Sequence, residues 1–197
     1  MIDRLLFALT FCSALGCGLV AGVFFAFSTF VMKALARLPS AQGIAAMQSI
    51  NIVVINPVFM VTLFGTAVAC ALLGASSVWT WQNPGAAYVL LGSLLYLIGT
   101  ILVTILFNVP RNDALAAVDP VSAEGAGLWV DYVRSWTAWN HVRTAAAFAA
   151  AASLTMGSIS ACDAGGGERD DSNVLPSLGE VASQSGGYRI PCLSRRE

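Results

Sequence analysis

Five side chains close to the start of the last apolar segment have types and spacings that could build a site. They recur at intervals of three, four, four and three residues: Trp129, Tyr132, Trp136, Asn140 and Arg143. On a continuous helix this spacing places all five on one face, which we call the stripe. Trp139 flanks the stripe, whereas His141, the only histidine, points about 140° away from its centre. The functional groups of this segment are an amide, aromatic rings and one guanidinium, with one imidazole on another face of the helix.

Two interpretations of the stripe are open from the residues alone. Trp and Tyr gather at membrane interfaces, where an arginine can also reach the headgroups, so the stripe could be an aromatic belt. Further polar residues lie on the side of the membrane where the stripe enters the last span: Asn51, Asn56, Asn108, Arg111 and Asn112. Because amides at membrane depth are costly unless they are hydrogen-bonded, this cluster indicates either a hydrogen-bonded plug or a binding site.

Several classes of membrane protein are disfavoured, because the sequence lacks the residues that their functions require. No Asp or Glu lies within a predicted span, which argues against a carboxylate proton relay. One histidine cannot supply both axial ligands of a b-type haem within one chain, and no His, Cys and carboxylate residues have metal-ligand spacing. The five cysteines contain no CxxC pair, which argues against a membrane thiol oxidoreductase. We therefore expect no metal site and no cofactor.

The elements that would position these residues are membrane-spanning helices. Hydrophobic residues make up 57% of the chain and charged residues 11%, against about 25% charged residues in soluble domains. A span needs about 20 apolar residues, and four segments offer them: 5–32, 57–78, 86–107 and 144–161. We therefore predict an all-α, four-helix transmembrane bundle. The fourth segment is rich in alanine and should pack against other helices rather than against lipid.

The connections and the tail are predicted to differ in structure. Helical spacing of apolar residues after the first span predicts a short helix at the membrane interface: Ile44, Met47, Ile50 and Val54. The third connection, residues 108–139, is too long for a plain loop and should be helical, with a helix running unbroken from Trp129 into the fourth span. Residues 1–162 would form the transmembrane domain, and the Gly-rich, charged residues 163–197 a disordered polar tail.

The distribution of basic residues predicts the orientation of a multi-pass membrane protein. Five lie in the first and third connections, and two lie on the opposite side: Lys33, Arg37, Arg111, Arg134 and Arg143 against Arg4 and Arg169. The positive-inside rule then places both termini outside the cytoplasm. The net charge of −1 argues against a nucleic-acid partner, which leaves membrane lipid as the expected environment.

Small residues recur every four positions in the first span: Ala14, Gly18, Gly22 and Ala26. They place small side chains along one helix face, as in the small-xxx-small pattern of paired membrane helices. The pattern fits either close packing inside the bundle or a homodimer through Gly18 and Gly22.

Four motifs in order resemble those of the anthrone-oxygenase-like family of small four-helix membrane proteins, most of which have no assigned function. The motifs are AGVFFAFSTFVMKALARLP, INPVFM, NVPRNDAL and W(x)2Y(x)3WTAWNHVRT. The likeness covers about residues 5–160, and the tail departs from it. Characterised relatives oxidise anthrones to anthraquinones, so the resemblance implies an oxidoreductase, here a cofactor-independent monooxygenase acting on a flat aromatic small molecule.

The resemblance also implies roles for individual residues. Arg143, Asn140 and Asn108 would donate hydrogen bonds to an oxyanion, and Tyr132 or His141 would act as the base. The substrate-binding positions would be Trp129, Trp136, Trp139, Asn56, Asn108 and Asn112. The alternative is a non-catalytic membrane protein that binds small hydrophobic molecules or serves as a small subunit of a membrane complex.

Overall fold

The predicted all-α architecture with four membrane-spanning helices is confirmed by the structure. The structure is a computed structural model that describes residues 2–170, with their side chains from residue 5 to residue 161. Within that part of the chain there is no strand. Four helices are long and apolar enough to cross a membrane: Leu5–Leu35, Pro57–Trp79, Ala86–Ala116 and Ala123–Ala161. The chain is therefore a multi-pass membrane protein.

The spans are built from α-helices and from π-helical segments, which are wound more loosely. The α-helices are α1 Ile2–Ala26, α2 Met32–Leu35, α3 Ser40–Val53, α4 Pro57–Trp79, α5 Ala86–Leu94, α6 Val109–Ala116 and α7 Ala123–Asp170. The π-helical segments are Phe27–Val31, Leu95–Leu102 and Thr104–Asn108. They join α1 to α2 and α5 to α6, so the first and third spans each remain continuous.

The predicted short helix after the first span is α3. It begins at Ser40, directly after Pro39, and buries Gly43, Ile44 and Met47. The side chain of Gln48 ties α3 to the end of the third span, because its Nε2 donates to the carbonyl oxygens of Leu115 at 2.8 Å and of Val118 at 3.1 Å. The helix α3 thus covers one end of the bundle, beside the first half of α7.

Helix α7 runs unbroken from Trp129 into the fourth span, as predicted, and it begins earlier in the third connection, at Ala123. Its first half and α6 supply the helical structure predicted for the third connection. The helix continues to Asp170, past the predicted start of the tail at residue 163. Residues 171–197 lie outside the described residues, so the disordered tail stays a prediction.

Helix α7 is the central element of the bundle, because it packs against α1, α5 and the π-helical segment that follows α5. One apolar core lies in the middle of the spans and includes Val20, Tyr96 and Leu154. A second core lies beneath α3 and contains the stripe residues Trp129, Tyr132 and Trp136. Apolar side chains on the outer faces are exposed, as is required of surfaces that meet lipid.

The small residues of the first span do not all pack inside the bundle. Ala14 belongs to the central core. At Gly18 and Gly22, in contrast, a Cβ atom would meet no atom within 4 Å. These two glycines therefore lie on an open face, so packing among the described residues does not account for them. The homodimer through Gly18 and Gly22 stays a prediction.

Candidate functional site

The five stripe side chains lie together on the inner face of α7, and each is at most 5% exposed. Trp129 stacks on Tyr132 with ring centroids 5.7 Å apart, and Tyr132 on Trp136 at 6.2 Å. The interpretation of the stripe as an aromatic belt is therefore wrong, because belt residues face the lipid interface. Exposed tryptophans occur instead at the far end of the second span, at Trp79 and Trp81.

Arg143 is a buried cation surrounded by neutral groups. Its Nε donates to Asn140 Oδ1 at 2.9 Å, and its Nη1 donates to Thr104 Oγ1 at 3.3 Å. The guanidinium also lies 4.1 Å from the ring centroid of Phe24 and 4.9 Å from that of Trp136. These partners are an amide, a hydroxyl and two rings, and none of them is acidic. Cation–π contacts of this desolvated kind contribute about 2 kcal/mol.

Asn140 fixes the position of Arg143 by bonding to the first span. Its Nδ2 donates to the carbonyl oxygen of Phe24 and to Ser28 Oγ, both at 2.7 Å, while its Oδ1 accepts from Arg143. Ser28 Oγ in turn lies 3.1 Å from Thr144 Oγ1. Both the oxygen and the nitrogen of the Asn140 amide group thus have hydrogen-bond partners. These partners fix the orientation of the side chain.

The π-helical segments supply the partners of the stripe from the other spans. Ser28 belongs to Phe27–Val31, while Thr104 and Asn108 belong to Thr104–Asn108. Such segments are rare and are frequent at functional sites. We call the side chains that meet here the polar cluster, defined as Ser28, Thr104, Asn108, Asn140, Arg143 and Thr144.

Two of the predicted asparagines contact the stripe. Asn112 Oδ1 accepts from Tyr132 Oη at 2.8 Å and from Trp136 Nε1 at 2.7 Å. Asn108 Nδ2 donates to the carbonyl oxygen of Trp136 at 3.2 Å. Both asparagines therefore fix the stripe against the end of the third span.

Two amide atoms close to the stripe have no partner among the described residues. They are the Oδ1 of Asn108, a fully buried residue, and the Nδ2 of Asn51 on α3. An unpaired buried polar atom costs about 1–3 kcal/mol. The hydrogen bonding of this region is therefore incomplete among the described residues, and the choice between a hydrogen-bonded plug and a binding site stays a prediction.

Three other predicted site residues are not part of the polar cluster. Asn56 caps α4, because its Oδ1 accepts from the backbone N–H of Phe59 at 3.0 Å. Trp139 is half-buried and stacks on Phe107 with ring centroids 3.6 Å apart. His141 is exposed and faces away from the stripe, in agreement with its position on the helix.

His141 lines a groove of about 310 Å³ between the first span and α7, which was not predicted from the sequence. The polar residues of its lining are Ser28, Lys33, Arg134, Thr137 and His141. Ser28 is common to this groove and to the polar cluster. A smaller cavity of about 130 Å³ lies at the opposite end of the bundle, near Asn83 and Ser158.

Possible metal ligands are dispersed in the described part of the chain. There, no group of three or more His, Cys, Asp and Glu side chains could hold a metal ion. The expectation that the protein works without a cofactor stays a prediction, to be decided on the purified protein.

The comparison with protein families gives one match. Residues 56–153 match the family described as anthrone oxygenase. The matched segment begins at Asn56, the cap of α4, and includes the whole stripe together with Asn108 and Asn112. The first span, with Ser28, lies outside it. No curated protein and no solved structure matches the chain.

Proposed function

We propose that this membrane protein, whose residues 56–153 belong to the anthrone oxygenase family, oxidises a flat, hydrophobic anthrone-type substrate with dioxygen. The family match and the membrane spans support the substrate class, because such a polycycle partitions into a bilayer. The buried Arg143 carries the proposal, since its neutral surroundings leave a positive charge free to stabilise an anion.

The proposed reaction demands little of the protein. The methylene carbon of an anthrone is acidified by two flanking rings and the conjugated carbonyl group, so loss of one proton gives an electron-rich anthranolate. This anion can reduce dioxygen directly. One oxygen atom becomes the second carbonyl of the anthraquinone, and the other leaves as water with the two methylene hydrogens. The protein must therefore bind the substrate, promote deprotonation and stabilise the oxyanion.

Arg143 is suited to the last of these tasks. Its planar guanidinium can hold an oxyanion through two N–H groups, and Asn140 together with the rings of Phe24 and Trp136 fixes it in place. The oxyanion would replace Thr104 Oγ1 as a partner of Arg143, because this hydrogen bond, at 3.3 Å, is the longer of the two side-chain bonds that Arg143 makes. Because the stripe is closely packed, entry of a substrate requires the aromatic side chains to move apart.

The candidate bases differ in their surroundings. Tyr132 lies in the stripe, but its hydroxyl already donates to Asn112 Oδ1. His141 is not part of the stripe, because it lies on another face of α7, where it lines the groove. With Arg143 as the oxyanion site, Tyr132 is therefore the candidate base that lies closer to the proposed substrate, and it takes the methylene proton only as the tyrosinate, after loss of its own hydroxyl proton. The role of His141 in this reaction is disfavoured.

The substitution Arg143→Lys tests the proposal, because it keeps the charge and removes the planar fork. We expect the rate of anthrone oxidation to fall by about 100-fold or more, as on loss of an oxyanion donor. The melting temperature and the elution volume in detergent report whether the variant folds. Arg37→Lys is the matched control, since Arg37 is exposed and lies outside the polar cluster.

The competing account gives Arg143 a purely structural role, which its burial favours. In that case a folded Arg143→Lys variant would oxidise an anthrone as fast as the wild type does. A wild-type protein that oxidises no anthrone would reject the proposed function altogether and leave a non-catalytic binder or subunit.

A further inference from the structure

The groove between the first span and α7 carries positive charge without a compensating acid in its lining. Nine residues line it, among them Lys33, Arg134 and His141, and none of the nine is acidic. Lys33, Arg134 and His141 are all exposed, so they form an accessible basic rim. A groove of this kind is complementary to an anionic group.

The floor of the groove is apolar but contains one unused hydroxyl. Met32, Val133 and Ala138 provide the apolar surface. Thr137 Oγ1 is buried and has no hydrogen-bond partner among the described residues. A hydroxyl in this position can donate to a ligand oxygen, so the groove combines an apolar surface, cationic groups and a free donor.

The position of the groove along the spans indicates the source of its ligand. Lys33 lies in the last turn of the first span, which ends at Leu35. His141 lies just before the alanine-rich, uncharged segment 144–161 of α7. Both basic residues are therefore placed at the boundary between the hydrocarbon and the headgroups, where lysine and arginine side chains meet lipid phosphates. The groove is also open at the surface between these two spans.

We propose that this groove binds the headgroup of an anionic phospholipid from the surrounding bilayer. Lys33 and Arg134 contact the phosphate, Thr137 donates to one of its oxygens, and an acyl chain lies along Met32 and Val133. The site is distinct from the proposed oxyanion site at Arg143 and does not depend on the proposed function. Through Ser28, which lines the groove and accepts from Asn140, the bound lipid supports the polar cluster.

The experiment compares two lipids that have the same acyl chains and phosphate but a different net headgroup charge. Purified protein in detergent is titrated with phosphatidylglycerol or with phosphatidylcholine of the same acyl chains, and binding is followed by native mass spectrometry and by melting temperature. We expect tighter binding and stronger stabilisation by phosphatidylglycerol. The double variant Lys33→Ala and Arg134→Ala should weaken phosphatidylglycerol binding by about 10-fold or more, since each basic group near the surface contributes about 1 kcal/mol.

Two further variants distinguish lipid binding at a specific site from a general attraction between opposite charges. Arg37→Ala removes an exposed basic residue that does not line the groove, so it should leave the preference for phosphatidylglycerol unchanged. Thr137→Val removes the hydroxyl with little change of shape and should weaken phosphatidylglycerol binding, because the hydroxyl donates to a phosphate oxygen. This variant also keeps the proposal testable if the double variant does not fold.

Other results would overturn the lipid site. Equal binding of the two lipids, or equal losses in Arg37→Ala and in the double variant, would show that no specific headgroup site exists. Stabilisation by inorganic phosphate alone would indicate a site for a soluble anion. Displacement of phosphatidylglycerol by an anthrone in a one-to-one ratio would assign the groove to the substrate instead.

Discussion

At the scale of single residues, Asn140 is the link that joins the stripe to the first span. Its amide group bonds at once to the Phe24 carbonyl oxygen, to Ser28 Oγ and to Arg143 Nε. Removal of this amide would leave a buried guanidinium with one fewer partner and a buried carbonyl without its donor. The cost of both losses falls on the folded state, because water satisfies these groups in the unfolded chain.

We therefore expect Asn140→Ala to lower the free energy of unfolding by about 2–4 kcal/mol, as on loss of a buried hydrogen bond to a charged group and of a buried bond to a carbonyl oxygen. The third bond lost is to Ser28 Oγ, which keeps Thr144 Oγ1 as a partner. Denaturant titration in detergent micelles measures this change. Asn83→Ala, at an exposed position in the second connection, is the control and should change stability by less than about 0.5 kcal/mol. A loss no larger than in the control would contradict the role given to Asn140.

The sequence was sufficient to predict which residues share the stripe but not which residues they contact. The spacing from Trp129 to Arg143 defines one helix face on any α-helix. It contains no information on the partner helix, so Ser28 and Thr104 are indistinguishable from other hydroxyl residues of the spans. The stacking of Trp139 on Phe107 was missed for the same reason, since it depends on a residue far along the chain.

At the scale of the elements, close packing holds α3 onto the stripe. A Cβ atom at Gly43 would lie 2.7 Å from Cζ2 of Trp129 and 3.1 Å from the carbonyl oxygen of Leu35. The first distance is shorter than any ordinary carbon contact, and the second involves backbone. The two helices can approach this closely only because residue 43 has no side chain.

We expect Gly43→Ala to destabilise the protein by about 1–3 kcal/mol, the usual range for overpacking of a core. Gly65→Ala is the matched control, because Gly65 is an exposed glycine of α4 whose added Cβ would make only one contact, at 4.0 Å. That control should be neutral or stabilise by up to about 1 kcal/mol through helix propensity. Thermal unfolding of both variants in the same detergent compares them, and equal melting temperatures would argue against the close packing of α3.

The helices themselves were largely predictable, whereas their π-helical segments were not. Pro39 before Ser40, and Asn56 before Pro57, are local features that mark the starts of α3 and α4. The π-helical segments have no comparable sequence pattern. Each lies where a span meets α7, so its formation depends on tertiary contacts.

At the scale of the whole molecule, burial of Arg143 changes the charge count on which the orientation was predicted. A guanidinium inside the bundle does not act as a loop charge, so four basic residues remain on the predicted cytoplasmic side: Lys33, Arg37, Arg111 and Arg134. Two remain on the other side, Arg4 and Arg169. The excess still places both termini outside the cytoplasm, and this orientation stays a prediction.

Cysteine labelling in intact cells tests the orientation. In a background without the native cysteines, Asn83→Cys in the second connection should react with an impermeant thiol reagent from outside. Gln42→Cys, on α3 after the first span, should react only after the membrane is opened. Both positions are exposed, so accessibility of the side chain does not limit the reaction. The reverse pattern would show that the positive-inside rule fails for this protein.

The proposed activity is oxidation of an anthrone by dioxygen without the help of a metal or flavin. It is tested by the rate at which purified, chelator-treated protein converts an anthrone under ¹⁸O₂, compared with the same detergent solution without protein, in which anthrones oxidise slowly by themselves. We expect a faster reaction with protein, one ¹⁸O atom in each anthraquinone and one dioxygen consumed per product. A rate equal to that of the protein-free solution would rule out this activity.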